Sequence, residues 1–428
     1  MFDRRAFLAT ATSLSGLYMA SPRWLAAAPA SERLRLGFIG VGKMGRGHLR
    51  KLLGNPQVDV VAVCDVVQQR QQSAIDMATA HYAQHSKSGV SRSVRGIADF
   101  RDLLALPEVD AVVIATPDHW HTIPCRLAAQ AGKHIYCEKP LTHNVAEGRE
   151  LVSDVQRAGI VFQTGSQQRS EFGGHFRRAV EAIWNGRIGQ IKRVRIGVGS
   201  PAKPCDLPTE EVPQGTDWDM WLGPAPLRGY NQILCPQGVH DHFPRWRDYQ
   251  EFAGGGLADM GAHHFDIAQW ALKMDTSGPT RIVPPSDPAA QSGLRFVYEN
   301  GIEMIHNEFE GDVKADCVFE GTDGLLLVSR GGISSRPASV LEEPLDDKAL
   351  RVMESSNHHQ NWLDAILQGK ATICPVEVGH RSASICHLAN IGYRLRRPLT
   401  WQPQQEQFVG DTEANQLLSR EAREPWKL

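Results

Sequence analysis

Residues 34–65 constrain the fold more than any other stretch of the chain. A short apolar run, Leu34–Ile39, leads directly into Gly40-Val41-Gly42-Lys43-Met44-Gly45, a helical stretch opens there and runs through Leu53, and a second apolar run, Val58–Cys64, ends on Asp65. A G-x-G-x-x-G alone says little. Placed between a strand and a helix, with an acid 20 residues beyond its last glycine, it has the form of a dinucleotide site. Gly40 permits the tight turn, and Gly42 lets backbone amides reach a pyrophosphate at the helix N-terminus. Gly45 lets the helix pack closely on the strand, and Lys43 and Met44 complete the loop. Asp65 suits the two hydroxyls of an adenine ribose and repels a 2′-phosphate, which favours NAD. Arg70 is near enough in sequence to leave NADP open.

The alternation of strand and helix continues. Asp110–Ala115 is a buried strand, followed by Thr116-Pro117 and a helix to about Ala131; His134–Cys137 is another, followed by Glu138-Lys139-Pro140 and a helix near Val145–Ala158; Val161–Gln163 closes the set. This predicts an α/β fold whose N-terminal half is a doubly wound parallel sheet of Rossmann type, with ligands at the strands' C-terminal ends. The second half reads differently: helices over Phe172–Asn185, Leu257–Leu272, Asn357–Leu367 and Val376–Leu395, a strand over Gln190–Val198, and β-like runs between Gly293 and Ser329. We expect an α+β domain there, with an open, largely antiparallel sheet. Three segments follow: residues 1–30, an NAD-binding domain over 31–163, and a substrate domain over 164–428. The polar residues from Gln402 on are expected to run over the surface.

Segment 1–30 reads as an export signal. Arg4-Arg5 precede Ala6-Phe7-Leu8 and a weakly apolar stretch, and Ala28-Pro29-Ala30 supplies small residues for cleavage. The twin-arginine route carries folded proteins, so a periplasmic or otherwise exported holo-protein is expected. With 46 basic against 48 acidic residues the net charge is −2, which argues against nucleic acid as a partner. No later stretch is long and apolar enough to span a membrane. Eight scattered cysteines form no C-x-x-C pair, so no structural metal is expected, although a Cys205–Cys235 bridge would suit an oxidising compartment.

Three motifs in this order, Gly40–Gly45, Glu138-Lys139-Pro140 and Asp259-x-x-x-His263, resemble those of the Gfo/Idh/MocA family of sugar and polyol oxidoreductases. Thr116-Pro117-Asp118-His119-Trp120-His121 also resembles that family's loop beneath the nicotinamide. The resemblance implies that Thr116, Pro117, His121, Glu138 and Lys139 border the cofactor, with a cis bond at Pro140. It also implies that Lys139, Asp259 and His263 are catalytic. Oxidising a secondary alcohol needs a base for the hydroxyl proton and a nicotinamide face for the hydride. Lys139 can hold the substrate oxygen and stabilise a developing alkoxide. Asp259 and His263, four apart, share a helix face, so His263 can accept the proton while Asp259 orients it. Glycines 254–256 before that helix are expected to allow close approach to the cofactor, and His264 to pack or cap.

Candidate substrate contacts are Gln168, Trp221, His240, His242, Arg245 and Trp246. Tryptophans suit the apolar C–H face of a sugar. His240 and His242 read as cleft residues, because no further ligand motif joins them. Gln167 and Arg169 are expected beside the cofactor or substrate. The run Asn357–Asn361 reads mainly as capping and packing. The expected function is an exported NAD-dependent oxidoreductase acting on a sugar, glycoside or polyol hydroxyl, with C3 of a glycoside as a candidate position, and self-associating through the open sheet. An NAD-requiring redox-neutral glycosidase and a non-enzymatic nicotinamide- or sugar-binding protein are the alternatives.

Overall fold

Short apolar runs with both faces covered make the first sheet. In the computed structural model, residues 33–85, 93–309 and 315–427 are described; the proposed signal segment lies outside them. Strands β1 (Leu34–Ile39), β2 (Val58–Cys64), β3 (Arg95–Ile97), β4 (Ala111–Ile114), β5 (His134–Cys137) and β6 (Phe162–Thr164) pair in parallel, in the order β3-β2-β1-β4-β5-β6. Helices α1 (Lys43–Leu53), α2 (Gln68–His85), α3 (Phe100–Leu104), α4 (Thr122–Gln130) and α5 (Val145–Ala158) connect them. The order reverses between β1 and β4, and the crevice at that switch point is where such sheets bind ligands. All four residues of β4 are buried, as a central parallel strand requires. Edge strand β3 carries Arg95 and Gly96 exposed, so no apolar run announces it.

The second layer contains α6 (His175–Trp184), β7 (Ile191–Ile196), α7 (Trp218–Leu222), α8 (Gly255–Ala271), β8 (Arg281–Val283), β9 (Arg295–Val297), β10 (Glu303–His306), β11 (Cys317–Gly321), β12 (Leu325–Ser329), β13 (Gly332–Arg336), α9 (Ser339–Glu342), α10 (His358–Gln368), α11 (Val376–Leu395), β14 (Leu399–Gln402), β15 (Gln407–Phe408) and α12 (Thr412–Gln416). Its sheet runs β13-β12-β11-β7-β10-β9-β8-β14-β15. Every neighbouring pair is antiparallel except β7 with β10. Val194, Phe296, Phe319 and Leu326 project from one face into a core shared with Phe176, Phe265 and Ile385. The other face carries Arg193 in ion pairs with Glu303 and Glu320.

Several sequence expectations need correction. The helix expected from Phe172 begins at His175, because Phe172, Gly173 and Gly174 all have positive φ. Residue 163 is not a packing boundary. Trp362 and Leu363 of α10 join the core under β1 and β2, and Val376 and Ala383 of α11 join the core with α5, so the C-terminal half completes the first layer's cover. The chain from Leu34 onward is one compact unit. A Cβ on Gly255 would lie 2.4 Å from the Ala202 nitrogen and one on Gly256 3.0 Å from the Gly199 Cα, so the two glycines that open α8 admit neighbouring backbone. Arg169 is buried, not exposed to a ligand: its guanidinium holds Asp266 of α8 at 2.8 Å through two nitrogens and Asp275 at 2.7 and 2.9 Å. All eight cysteines are free, Cys205 and Cys235 included.

The C-terminal tail is also not a surface run. Phe408 and Ala414 are buried, and Trp426 packs edge-on against Trp120 at 4.8 Å, beside Phe100. Trp120 opens onto the central cavity, so the tail supports the site's floor. Trp426→Ala is therefore expected to destabilise the protein by about 3 kcal/mol, read as a shift in the denaturant midpoint.

Candidate active site

The crevice at the β1/β4 switch is a cavity of about 480 Å³ bounded by both layers. At its rim the glycine turn has the division of labour expected of it. Gly40 has φ +83°, with room for no side chain, since a Cβ would meet the Ala115 carbonyl carbon at 2.8 Å. A Cβ on Gly45 would sit 2.0 Å from the Gly40 oxygen, whereas one on Gly42 would meet nothing within 4 Å. Open space over the first turn of α1, with no side chain capping its amides, fits a pyrophosphate.

Asp65 lines the cavity at the end of β2 and accepts hydrogen bonds from the amides of Val41 and Val67, both 2.9 Å. Burial raises its pKa, against Arg70 and the two amides. The Arg70 guanidinium is engaged by the Gly238 carbonyl at 2.9 Å and the Pro236 carbonyl. It is therefore committed to that loop rather than offered to a 2′-phosphate, which supports NAD. The same loop crosses the rim: Lys43 donates to the Asp241 carbonyl, and Arg46 to the His240 carbonyl at 2.7 Å and the Asp241 carboxylate at 3.0 Å. Met44, Thr116 and Pro117 line the wall, where the Thr116 hydroxyl is buried without a hydrogen-bond partner among the described residues.

The charged end of the cavity is built by β5, α8 and the turn after β4. Lys139, at a cis peptide with Pro140, donates to the Asp259 carboxylate at 2.7 Å and to the Asp259 carbonyl at 2.8 Å. Arg247, stacked on Trp246, stands 3.5 Å from the same carboxylate. Burial works against the Asp259 charge, but Lys139 and Arg247 outweigh it and hold its pKa below the usual value. The structure thus pairs Asp259 with Lys139, not with His263. His263 lines the cavity with its Nδ1 unpartnered; burial and the Lys139 charge push its pKa well down, so the ring is neutral. Glu138 accepts from His48 at 2.9 Å and from Gln167 at 2.8 Å. Burial would raise its pKa, yet His48, Lys139 and Gln167 bring it down to about 2.

Other expected residues divide. Trp221, His240 and Trp246 line the cavity. His121 does not: it is fully buried between the Pro140 and Thr116 carbonyls, at 2.7 and 2.9 Å, tying the two motif turns together. Gln168 is buried away from the cavity, and its neighbour Gln167 takes the place instead. His242 is exposed, with its carbonyl 2.9 Å from the His240 ring, and Arg245 is exposed and paired with Asp248. In Arg245-Trp246-Arg247 it is Arg247 that turns inward.

Asp118 was missed although it stands in the quoted turn. It is buried in the cavity wall, and burial together with the Asp259 charge pushes its pKa up to about 8, against Arg247 and Lys139. An acid immediately after a Thr-Pro strand end was the available signal. His48 and Arg330 were missed as well; nothing in spacing singles out either.

The sequence matches the description "Oxidoreductase family, NAD-binding Rossmann fold" over residues 34–166. Residues 202–428 match "Oxidoreductase family, C-terminal alpha/beta domain". The chain belongs to the Gfo/Idh/MocA oxidoreductase family. It is 30% identical over 323 residues to the uncharacterized oxidoreductase YrbE of Bacillus subtilis, covering 72% of this chain and 76% of that protein. To the myo-inositol 2-dehydrogenase of Thermotoga maritima it is 26% identical over 239 residues, 56% of this chain and 55% of that one. The fold is shared with the WlbA dehydrogenase of Bordetella pertussis, solved with NADH and UDP-GlcNAcA: TM-score 0.59, 17% identity, 87% of this chain and 99% of that one. This oxidoreductase therefore binds NAD through its Rossmann domain.

Two outcomes follow for the family member. Gly42→Val should leave the thermal midpoint nearly unchanged and abolish NADH binding in a fluorescence titration, whereas Gly45→Val should fail to fold. Asp118 keeps its proton when folded to about pH 8 but loses it near pH 4 when unfolded, so it costs stability progressively as pH rises between those values. Asp118→Asn should raise the melting temperature at pH 8 and change it little at pH 4, measured by calorimetry.

Proposed function

We propose that this oxidoreductase removes a hydride from a secondary hydroxyl of a sugar, glycoside or polyol. The observation that carries this reading is the Lys139–Asp259 pair at 2.7 Å beside a neutral His263, all three facing the cavity that holds the cofactor site. Bound NAD supplies the hydride acceptor. The Lys139 ammonium, fixed by Asp259, binds the substrate oxygen and lowers the energy of the alkoxide as it forms. His263, neutral and carrying an unpartnered nitrogen, takes the hydroxyl proton. Asp118, retaining its proton near neutrality, donates a hydrogen bond to a neighbouring hydroxyl and so orients the ring. Trp221 and Trp246 offer apolar faces to sugar C–H groups. The names of relatives, a myo-inositol 2-dehydrogenase and a 1,5-anhydro-D-fructose reductase, support a hydroxyl-rich substrate.

Oxidation at C3 of a glycoside is the specific reaction proposed, since a C3 carbonyl acidifies the adjacent C–H and prepares a later elimination. Export through Arg4-Arg5 as a folded holo-protein is proposed with it; replacing both by Lys should keep activity in the cytoplasm.

The test is NADH formation against a panel of glycosides and polyols, with product analysis. His263→Ala and Lys139→Ala should each lower kcat by roughly 10²–10⁴ while NADH affinity changes little. Asp259→Asn should cost less than either, because it keeps a hydrogen-bond acceptor for Lys139 but loses the charge. Near-normal turnover in His263→Ala would reject it as the base and point to Lys139 or His240.

A further inference from the structure

Among the described residues, the lysines and arginines that line the central cavity all have polar partners except Arg330. Lys43 donates to the Asp241 carbonyl, Arg70 to the carbonyls of Gly238 and Pro236, Lys51 stands 3.6 Å from Glu171, and Lys139 and Arg247 share Asp259. Arg330 lies in the turn between β12 and β13 and lines the same cavity. Its guanidinium makes no ion pair and no hydrogen bond among the described residues, and its Nε is closed off from water with nothing to donate to. Asp316 accepts from the Arg330 backbone amide at 3.1 Å and stands 3.6 Å from His264, out of ion-pair reach of the guanidinium. A half-buried charge left in this way is costly unless something else meets it.

What holds the guanidinium is a ring. Its central carbon lies 4.8 Å from the centroid of Phe172, which also lines the cavity. Phe172 reaches that position with φ +60°, a left-handed backbone that a bulky side chain rarely adopts. Strain of this kind persists where the surroundings enforce it, and it gathers at ligand clamps. Phe172 packs edge-on against Phe176 of α6 at 6.4 Å, so the ring is backed by the core of the second layer.

Arg330 belongs to the end of the cavity that holds His263. Burial first, then the charges of Lys139 and Arg330, lower the His263 pKa. At the other end, where burial raises the Asp65 pKa, the opposing charges are those of Arg70 and Arg46. With Nε covered and one face against Phe172, the open edge of Arg330 is that of its two terminal nitrogens. Two parallel N–H bonds from such an edge match the two oxygens of a carboxylate.

We propose that Arg330 is a specificity-determining residue and that the sugar oxidised here carries a carboxylate, as a hexuronic acid or its glycoside. The terminal nitrogens of Arg330 donate to both carboxylate oxygens, Phe172 shields one face of the ion pair from water, and the reacting hydroxyl lies between Lys139 and His263. The proposal rests on the hydroxyl oxidation proposed above for the reaction, but the recognition is a binding event that needs no turnover.

The test therefore reads binding and turnover separately. Full-length protein saturated with NADH is titrated calorimetrically with the methyl glycosides of glucose, galactose and mannose, with those of the corresponding uronic acids, and with the 6-sulfates of the neutral three. At least one uronate should bind about ten- to a hundredfold more tightly than its neutral twin. Arg330→Gln should bring the two affinities of that pair together. Arg330→Lys, which keeps the charge and loses the fork, should retain part of the preference. Neutral glycosides that bind as tightly as their uronates overturn the proposal, as does an equal loss for both members of the pair in Arg330→Gln, or no binding of any uronate. A 6-sulfate preferred over every uronate overturns the carboxylate assignment. A uronate preference that depends on Arg330, with no NADH formed when the same uronate is offered with NAD+, supports this proposal and overturns the reaction proposed above.

Discussion

One buried guanidinium sets the geometry on which the site depends. Arg169, in the turn that leaves β6, grips Asp266 of α8 through two nitrogens at 2.8 Å, and Ser382 of α11 donates to the same carboxylate at 2.7 Å. The pair is almost fully buried, so neither partner has water as an alternative, and removing either would strand a charge, typically at a cost of about 3–5 kcal/mol. Asp259, His263 and Asp266 stand at helical spacings of four and three, on one face of α8. Fixing Asp266 against the first layer therefore brings Asp259 to Lys139 and His263 to the cavity.

Charge in the cavity is balanced by side chains drawn from both halves. Lys139 and Arg247 face Asp259; Glu138 is compensated by His48, Gln167 and Lys139; Asp118, under burial and the Asp259 charge, keeps its proton instead. The result is a cluster in which one acid is ionised by its neighbours, another is held neutral by burial, and one imidazole is deprived of its proton. Desolvation sets the direction of the shifts at Asp118 and His263, and specific partners reverse it at Asp259 and Glu138. Such opposed shifts within one cleft are what acid–base chemistry near neutral pH requires.

Most of the first layer was legible because its signals are local. A continuous apolar run bounded by turn residues marks a buried parallel strand, and α5 and α11 were legible to their ends because Asn144 and Pro375 mark their starts. The glycine turn was legible for the same reason: each glycine answers a steric demand within a few residues of itself. What failed was short, polar or remote. Strand β3 has no apolar run, and β8, β13 and β15 are two to five residues long and exist because neighbours pair with them. The tail after Gln402 looks polar in sequence, yet its few apolar residues, Phe408, Leu418 and Trp426, are the ones that pack.

By itself the sequence determined the parallel sheet and the glycine turn at its switch point, because residue type and spacing along one strand or helix carry those facts; Lys139, Asp259 and His263 were singled out by the resemblance of their motifs to a family's. Only the tertiary structure decided which of them touch. That Asp259 serves Lys139 rather than His263, that Arg247 faces inward while Arg245 does not, and that Arg70 is spent on loop carbonyls all depend on contacts between residues more than a hundred positions apart or on the turn of a short helix. The same holds for Asp118 and for the Arg330–Phe172 contact. Burial and the field of distant neighbours set the protonation of a buried group, and neither is written in the residues beside it.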